Sequence, residues 1–234
     1  KRQLSGGRVW IIDAGFSYKK LCGLLGGSFI EFNDEARWDL NPLKFLTDQS
    51  RHAAHEADDR ELLEMVVKIL SELMTSRGLD DYAESILSEC VQKTARTAVA
   101  EGRNPLIDDL REMLAGYRLQ GREERTALEM AAMLQPFAKD GPFAKWFDGS
   151  GESIQFNKAL TVLELDGLSS HKRLRSAVLM TLMLSIERAM QTRPRSETKL
   201  VCIDEAWDLM GEGASGRFIE TGYRSCLLYT SPSP

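Results

Sequence analysis

The sequence predicts an α/β protein: a parallel sheet interrupted by an all-α insertion. Three observations carry this. Short apolar runs within Arg8–Asp13, Ala159–Leu165 and Lys199–Asp204 each end at or beside an acid, the pattern of strands buried on both faces of a parallel sheet. From about Ala54 to Gln135 the texture changes, and apolar residues recur at helical spacing. A helix-length segment before the third run is almost wholly apolar from Ala177 to Ile186, as a helix buried on most sides would be.

The 234 residues suffice for one large domain or two small ones, and 43% are hydrophobic, enough for a core. A formal charge of -5 gives no general electrostatic case for nucleic-acid binding. No apolar stretch is long enough to span a bilayer. The four cysteines, Cys22, Cys90, Cys202 and Cys226, form no CxxC pair, which points to a reducing compartment and away from a zinc site.

Arg8–Asp13 reads as the first strand. Ala14-Gly15-Phe16-Ser17 is turn chemistry, with Gly15 free to take positive φ and Ser17 placed to cap a short helix over Tyr18–Leu25. Gly26-Gly27 breaks that helix, and Ser28–Phe32 is a short strand. Asn41-Pro42-Leu43 is a turn. Leu62, Val66, Ile69 or Leu70, and Leu73 line one face of a first insert helix, which Gly78 ends. Further helices are expected over Asp80–Ala100, from Asn104-Pro105 to Gly116, and over Glu123–Gln135. Their charge runs read as solvated faces, and His52 and His55 as exposed polar residues rather than ligands. Phe137–Gly151, rich in glycine and aromatics, is either a packed connector or a cover over a site. Ala159–Leu165 is the third strand, delivering Glu164 and Asp166 near its end. Ser169-Ser170 offers a cap to a helix over His171–Gln191, whose basic opening (His171, Lys172, Arg173, Arg175) reads as a solvated first turn.

The most informative stretch is Lys199–Met210. Its apolar run stops at Asp204 and Glu205, on the sheet edge where α/β proteins place ligands. Two adjacent carboxylates there are costly without compensation. A metal-bound phosphate supplies it: one acid holds Mg²⁺, usually through water, and the other orients or deprotonates the attacking water. This is the Walker B form; the competing reading is a strand end whose acids cap the next helix. Asp13 ends its own strand on the same edge. It is either a second acid near the phosphate site or a turn acid satisfied by backbone amides. Helices are expected over Ala206–Met210 and from near Gly216. Arg224, in the latter, is either a surface ion-pair partner or an arginine finger acting in trans.

Residues 1–3 and 225–234 both resemble in-frame translations of a transposon-based sequencing adapter. Natural sequence is therefore expected from about Leu4 to about Arg224 of a longer gene product.

Taken in order, VWIIDAGFSYKKL, GGSFIEF, NPL, a helical insert, GPFAKWFDG, TVLELDGL, KLVCIDEAWDLM and FIETGYR resemble the conjugative-transfer ATPases of type IV secretion systems, TraC type. The resemblance implies a partial P-loop NTPase (RecA-like) sheet with an all-α helical insertion. It implies ATP and Mg²⁺ as cofactors, Asp204 as the magnesium acid and Glu205 as the catalytic acid. It further implies a homo-oligomer in the cytoplasm, peripheral to the bacterial inner membrane and working with inner-membrane secretion-channel proteins to energise pilus assembly and substrate transfer. The expected division is a first part of the ATPase core at 4–50, the insert at 51–136 and a second part with the Walker B acids at 137–224. No G-x-x-x-x-G-K followed by Ser or Thr occurs, so the phosphate loop is expected upstream and the chain alone is expected to be inactive. Two other readings remain open: a DNA-pumping translocase or coupling protein of the same superfamily, and a non-catalytic scaffold whose helical insert is the working surface.

Overall fold

The computed structural model describes residues 7–33, 35–47, 56–117, 121–194 and 196–204. They divide into two compact units, one drawn from Lys1–Ala36 with Ile154–Pro234 and the other from Arg37–Ser153.

The first unit is the sheet. Strands β1 (Arg8–Asp13), β2 (Ser28–Glu31), β3 (Leu160–Glu164) and β4 (Lys199–Ile203) are all parallel, in the order β2-β3-β1-β4. β3 is buried at every position. β4 pairs as expected but is only half-buried, with Leu200 55% exposed, because it stands at the end of the described order.

Each crossover covers one face. Helix α1 (Lys19–Leu24) links β1 to β2, and its Cys22 packs into a cluster with Ile11, Leu160 and Val162, flanked by Val9, Tyr18, Phe29 and Cys202. Helix α6 (Lys172–Gln191) links β3 to β4 in the opposite direction along the sheet, so the right-handed rule puts it on the other face, where Trp10, Ile12, Ile30 and Leu163 are buried. That explains its long apolar middle, buried without a break from Ala177 to Leu184. Burying each Leu or Ile contributes about 2 kcal/mol relative to exposure. The Lys199 ammonium donates to the carbonyls of Met190 (2.8 Å) and Arg193 (3.2 Å), satisfying the last turn of α6.

Several local expectations change. Ser17 does not cap α1, whose N-cap is Tyr18 without a side-chain bond. His171, rather than Ser169 or Ser170, precedes α6, again without a side-chain cap. Arg175 is buried rather than solvated, although His171, Lys172 and Arg173 remain exposed.

The second unit holds α2 (Glu56–Met74), α3 (Asp81–Ala100), α4 (Ile107–Ala115) and α5 (Arg122–Met133). Leu62, Val66, Ile69, Leu70 and Leu73 are buried along α2, and Asp80 caps α3 by accepting from the Ala83 N–H at 2.8 Å. The unit is wider than the 51–136 insert expected, because flanking residues carry its core. Leu40, Leu43 and Phe45 on one side and Phe137, Trp146 and Phe147 on the other are buried, and Asn41 Nδ2 donates to the Pro105 carbonyl at 2.7 Å. Phe137 stacks on Phe143 (5.6 Å) and meets Phe147 edge-on (5.5 Å), as a packed connector does. His52 and His55 lie outside the described residues.

Gly167 sits in the turn after β3, where an added Cβ would lie 2.4 Å from the Phe32 carbonyl oxygen. Backbone cannot yield as a flexible side chain can. Gly167→Ala is therefore expected to destabilise the sheet unit by about 1–3 kcal/mol, read as a lowered denaturant midpoint with an unchanged slope.

Candidate functional site

Four carboxylates end the four strands at one level. Asp13 pairs with Glu164, and Glu31 pairs with the same Glu164 from the other side. Ile12 pairs with Ile203, so the following residues, Asp13 and Asp204, are level too. The strand order turns this into a row: Glu31, Glu164, Asp13, Asp204. Alternation places the row on the α1 face, beyond the apolar cluster of Ile11 and Val162. The Asp204 N–H continues the ladder to the Ile12 carbonyl at 2.9 Å.

Like charges so placed repel, and each acid has a partner that offsets this. Glu164 is fully buried. Its carboxylate accepts the N–H groups of Gly15 (3.1 Å), Phe16 (2.7 Å) and Asp166 (2.9 Å). Burial pushes its carboxyl above the usual range and the neighbouring Asp13 charge adds to this, while the three amides pull the other way. Phe16 reaches its position with φ 59, so it and not only Gly15 takes the left-handed region in this turn. Asp13, 1% exposed, accepts the Tyr18 N–H at 3.4 Å. Glu31 accepts from Asn33 Nδ2 at 3.0 Å and lies 3.8 Å from Lys19 Nζ. Lys19 also stands over the rings of Phe16 (5.1 Å) and Phe29 (5.3 Å). Asp204, half-buried, is near enough to Tyr18 for its carboxylate to raise the phenol's pKa.

The structure thus brings together two of the four residues singled out from sequence. Asp13 and Asp204 share one edge, and Asp13 meets the Tyr18 backbone amide and neighbours Asp204. Glu205 and Arg224 lie outside the described residues, as do the helices expected after them. Sequence reasoning delivered Glu164 to this edge but missed its three amide partners, and it gave Tyr18 no role. The signal for Glu164 was an acid inside an otherwise apolar strand, a position that demands buried partners.

A Mg²⁺ ion suits Asp204 on its donor chemistry. A hard cation keeps most of its water and needs only one or two carboxylates beside the phosphates, and Asp204 is a half-exposed oxygen donor at the strand's carboxyl end. Among the described residues no group of three or more His, Cys, Asp or Glu side chains is set to cage a metal by itself, and none is needed for a water- and phosphate-held ion.

A parallel sheet with an inserted helical unit and a carboxylate row on its carboxyl edge is an α/β protein with acids at the edge where such sheets place ligands. The model of the TraG P-loop domain matches residues 2–230, and the chain belongs to that family. It is 30% identical over 235 residues to Protein TraC of Escherichia coli (strain K12), a match covering 97% of this chain and 25% of that protein. The chain therefore spans a quarter of that relative's length. The solved structure of VirB4 of Thermoanaerobacter pseudethanolicus shares the fold, with a TM-score of 0.76 at 18% identity over 97% of this chain and 61% of that one. Among the described residues no helix is long and apolar enough to cross a membrane.

The Tyr18 phenol is held above its ordinary value of 10.0, first by burial and then by its hydrogen bond to Asp204 and that residue's charge. Asp204→Asn removes the charge and weakens the bond. The Tyr18 ring resonances are then expected to titrate at lower pH than in the unaltered chain, as followed by NMR.

Proposed function

We propose that this chain is part of an ATP-hydrolysing motor that energises conjugative type IV secretion. One observation supports this above the rest: Asp204 stands at the carboxyl end of a parallel strand, level with Asp13, in a chain of the TraG P-loop family. In this reading Asp204 holds Mg²⁺ through water, and the ion neutralises charge on the β- and γ-phosphates. Glu205 polarises the attacking water from the adjacent position. Asp13 keeps the neighbouring strand end acidic beside the metal shell. Arg224 reaches the γ-phosphate of a neighbouring subunit, which makes a homo-oligomer the working form.

The phosphate loop is supplied from sequence outside this chain, because no such motif occurs within it. The similarity to TraC and VirB4 supports a place at the cytoplasmic base of an inner-membrane channel, with channel proteins as partners and pilus assembly and substrate transfer as the work done.

Two measurements test this together. The 234-residue chain is expected to show no ATP turnover above background. In a longer protein carrying a phosphate loop upstream, Glu205→Gln is expected to abolish turnover, by roughly 100-fold or more, while nucleotide binding is retained. Turnover surviving that substitution refutes the assignment.

A further inference from the structure

Eight large apolar side chains are exposed among the described residues, and four of them fall between Phe16 and Leu25. Helix α1 is held to the sheet through Cys22, its one buried residue. Leu21, Leu24 and Leu25 recur at i, i+3 and i+4, so they share another side of the helix. Leu24 is 85% and Leu25 65% exposed. Leucines so exposed add nothing to the core, and a cluster of them marks an interaction surface. Lys20, also exposed, borders it. A second such face occurs on α5. Ala127, Met130 and Ala131 bury its inner side, while Arg125, Leu128, Glu129, Ala132 and Met133 form the outward stripe. Leu128 and Met133 are two of the remaining four exposed apolar residues, and the exposed Glu129 lies between them.

We propose that these two faces are the halves of one head-to-tail contact, in which α1 of one copy packs on the α5 stripe of a second copy. This rests on the homo-oligomer of the proposed function and uses none of the acids in the carboxylate row. Charge selects the pairing. Packing α1 on α1 would gather Lys19 and Lys20 from both copies, and packing α5 on α5 would gather Glu129 twice. Packing α1 on α5 lets Lys20 meet Glu129, with leucines on both sides of the pair. Unlike faces make a heterologous contact, which closes into a ring when its rotation permits. Two short helices cover less than the roughly 800 Å² per partner of a standard interface. One such contact is therefore weak alone, and a ring repeats it at every subunit.

The test is sedimentation equilibrium of the 234-residue chain without nucleotide, at concentrations up to about 1 mM, where weak contacts form. The weight-average mass is expected to rise above that of the monomer. Leu24→Gln and Leu128→Gln are each expected to lower the association constant roughly tenfold. Both side chains are exposed, so the denaturant midpoint is expected to change little. Lys20→Glu is expected to weaken association several-fold, and adding Glu129→Lys to restore it. A chain that stays monomeric throughout overturns the proposal, as does association that Leu24→Gln leaves intact. Association that falls in Leu24→Gln but not in Leu128→Gln, or that the double charge variant does not restore, overturns the part assigned to α5. If the chain stays monomeric but sediments with phosphatidylglycerol vesicles through Leu24, the face belongs to a lipid surface and the proposal fails. No turnover is measured, so these outcomes are separate from that of Glu205→Gln.

Discussion

The buried carboxylate of Glu164 is the constraint around which the sheet edge is arranged. A charge without exposure to water needs polar partners at once, since leaving it bare costs several kcal/mol. It finds three amides, and hydrogen bonds to a charged group contribute about 1.5–3 kcal/mol each. Two of those amides belong to the turn that follows β1. The benefit therefore runs both ways: the acid is solvated by backbone, and the backbone is held in a conformation, φ 59 at Phe16, that a bulky residue adopts only when its surroundings insist. The result is that β3 and the β1–α1 turn, distant in sequence, are locked into one geometry at the carboxyl edge.

That lock explains how four acids coexist in one row. Three solve their electrostatic problem differently, Glu164 by amides, Asp13 by the Tyr18 N–H, Glu31 by Asn33 and Lys19, while Asp204 stays half-exposed to water. The row therefore runs from a fully buried Glu164 to a half-exposed Asp204 at its β4 end.

What was legible in the sequence follows from how local its cause is. The strands show as apolar runs because a parallel sheet buries both faces, and the helices of the insert show as apolar stripes because each buries one. Asp13 and Asp204 could be placed on one edge since a parallel strand always delivers its last residue there. The Glu164 clamp was not legible, because two of its three partners lie 148 and 149 residues away and all are backbone, which carries no residue-type signature. Ser17 and Ser169 looked like helix caps by type, yet capping needs the hydroxyl aimed at the first free amides. In α1 the turn is already committed to Glu164 and Asp13. The half-burial of β4 was hidden for a similar reason: an apolar run states what a strand needs to bury, not which neighbour in the sheet does the burying.

The same reasoning accounts for the boundaries of the helical unit. Periodicity marks where helices begin, but a folding unit ends where its chain closes on itself. Here the entering and leaving segments pair. The Asp39 N–H donates to the Glu152 carbonyl and the Glu152 N–H to the Arg37 carbonyl, both at 2.9 Å. Gly151 allows this approach, since a Cβ there would lie 2.5 Å from the Trp38 carbonyl carbon. With the two ends hydrogen-bonded side by side, the cost of interrupting the chain between β2 and β3 is that of closing one long loop, which grows only slowly with length. The β2–β3 pairing can then keep its register whatever the insertion contains, and that register is what sets Glu31 level with Glu164 in the carboxylate row.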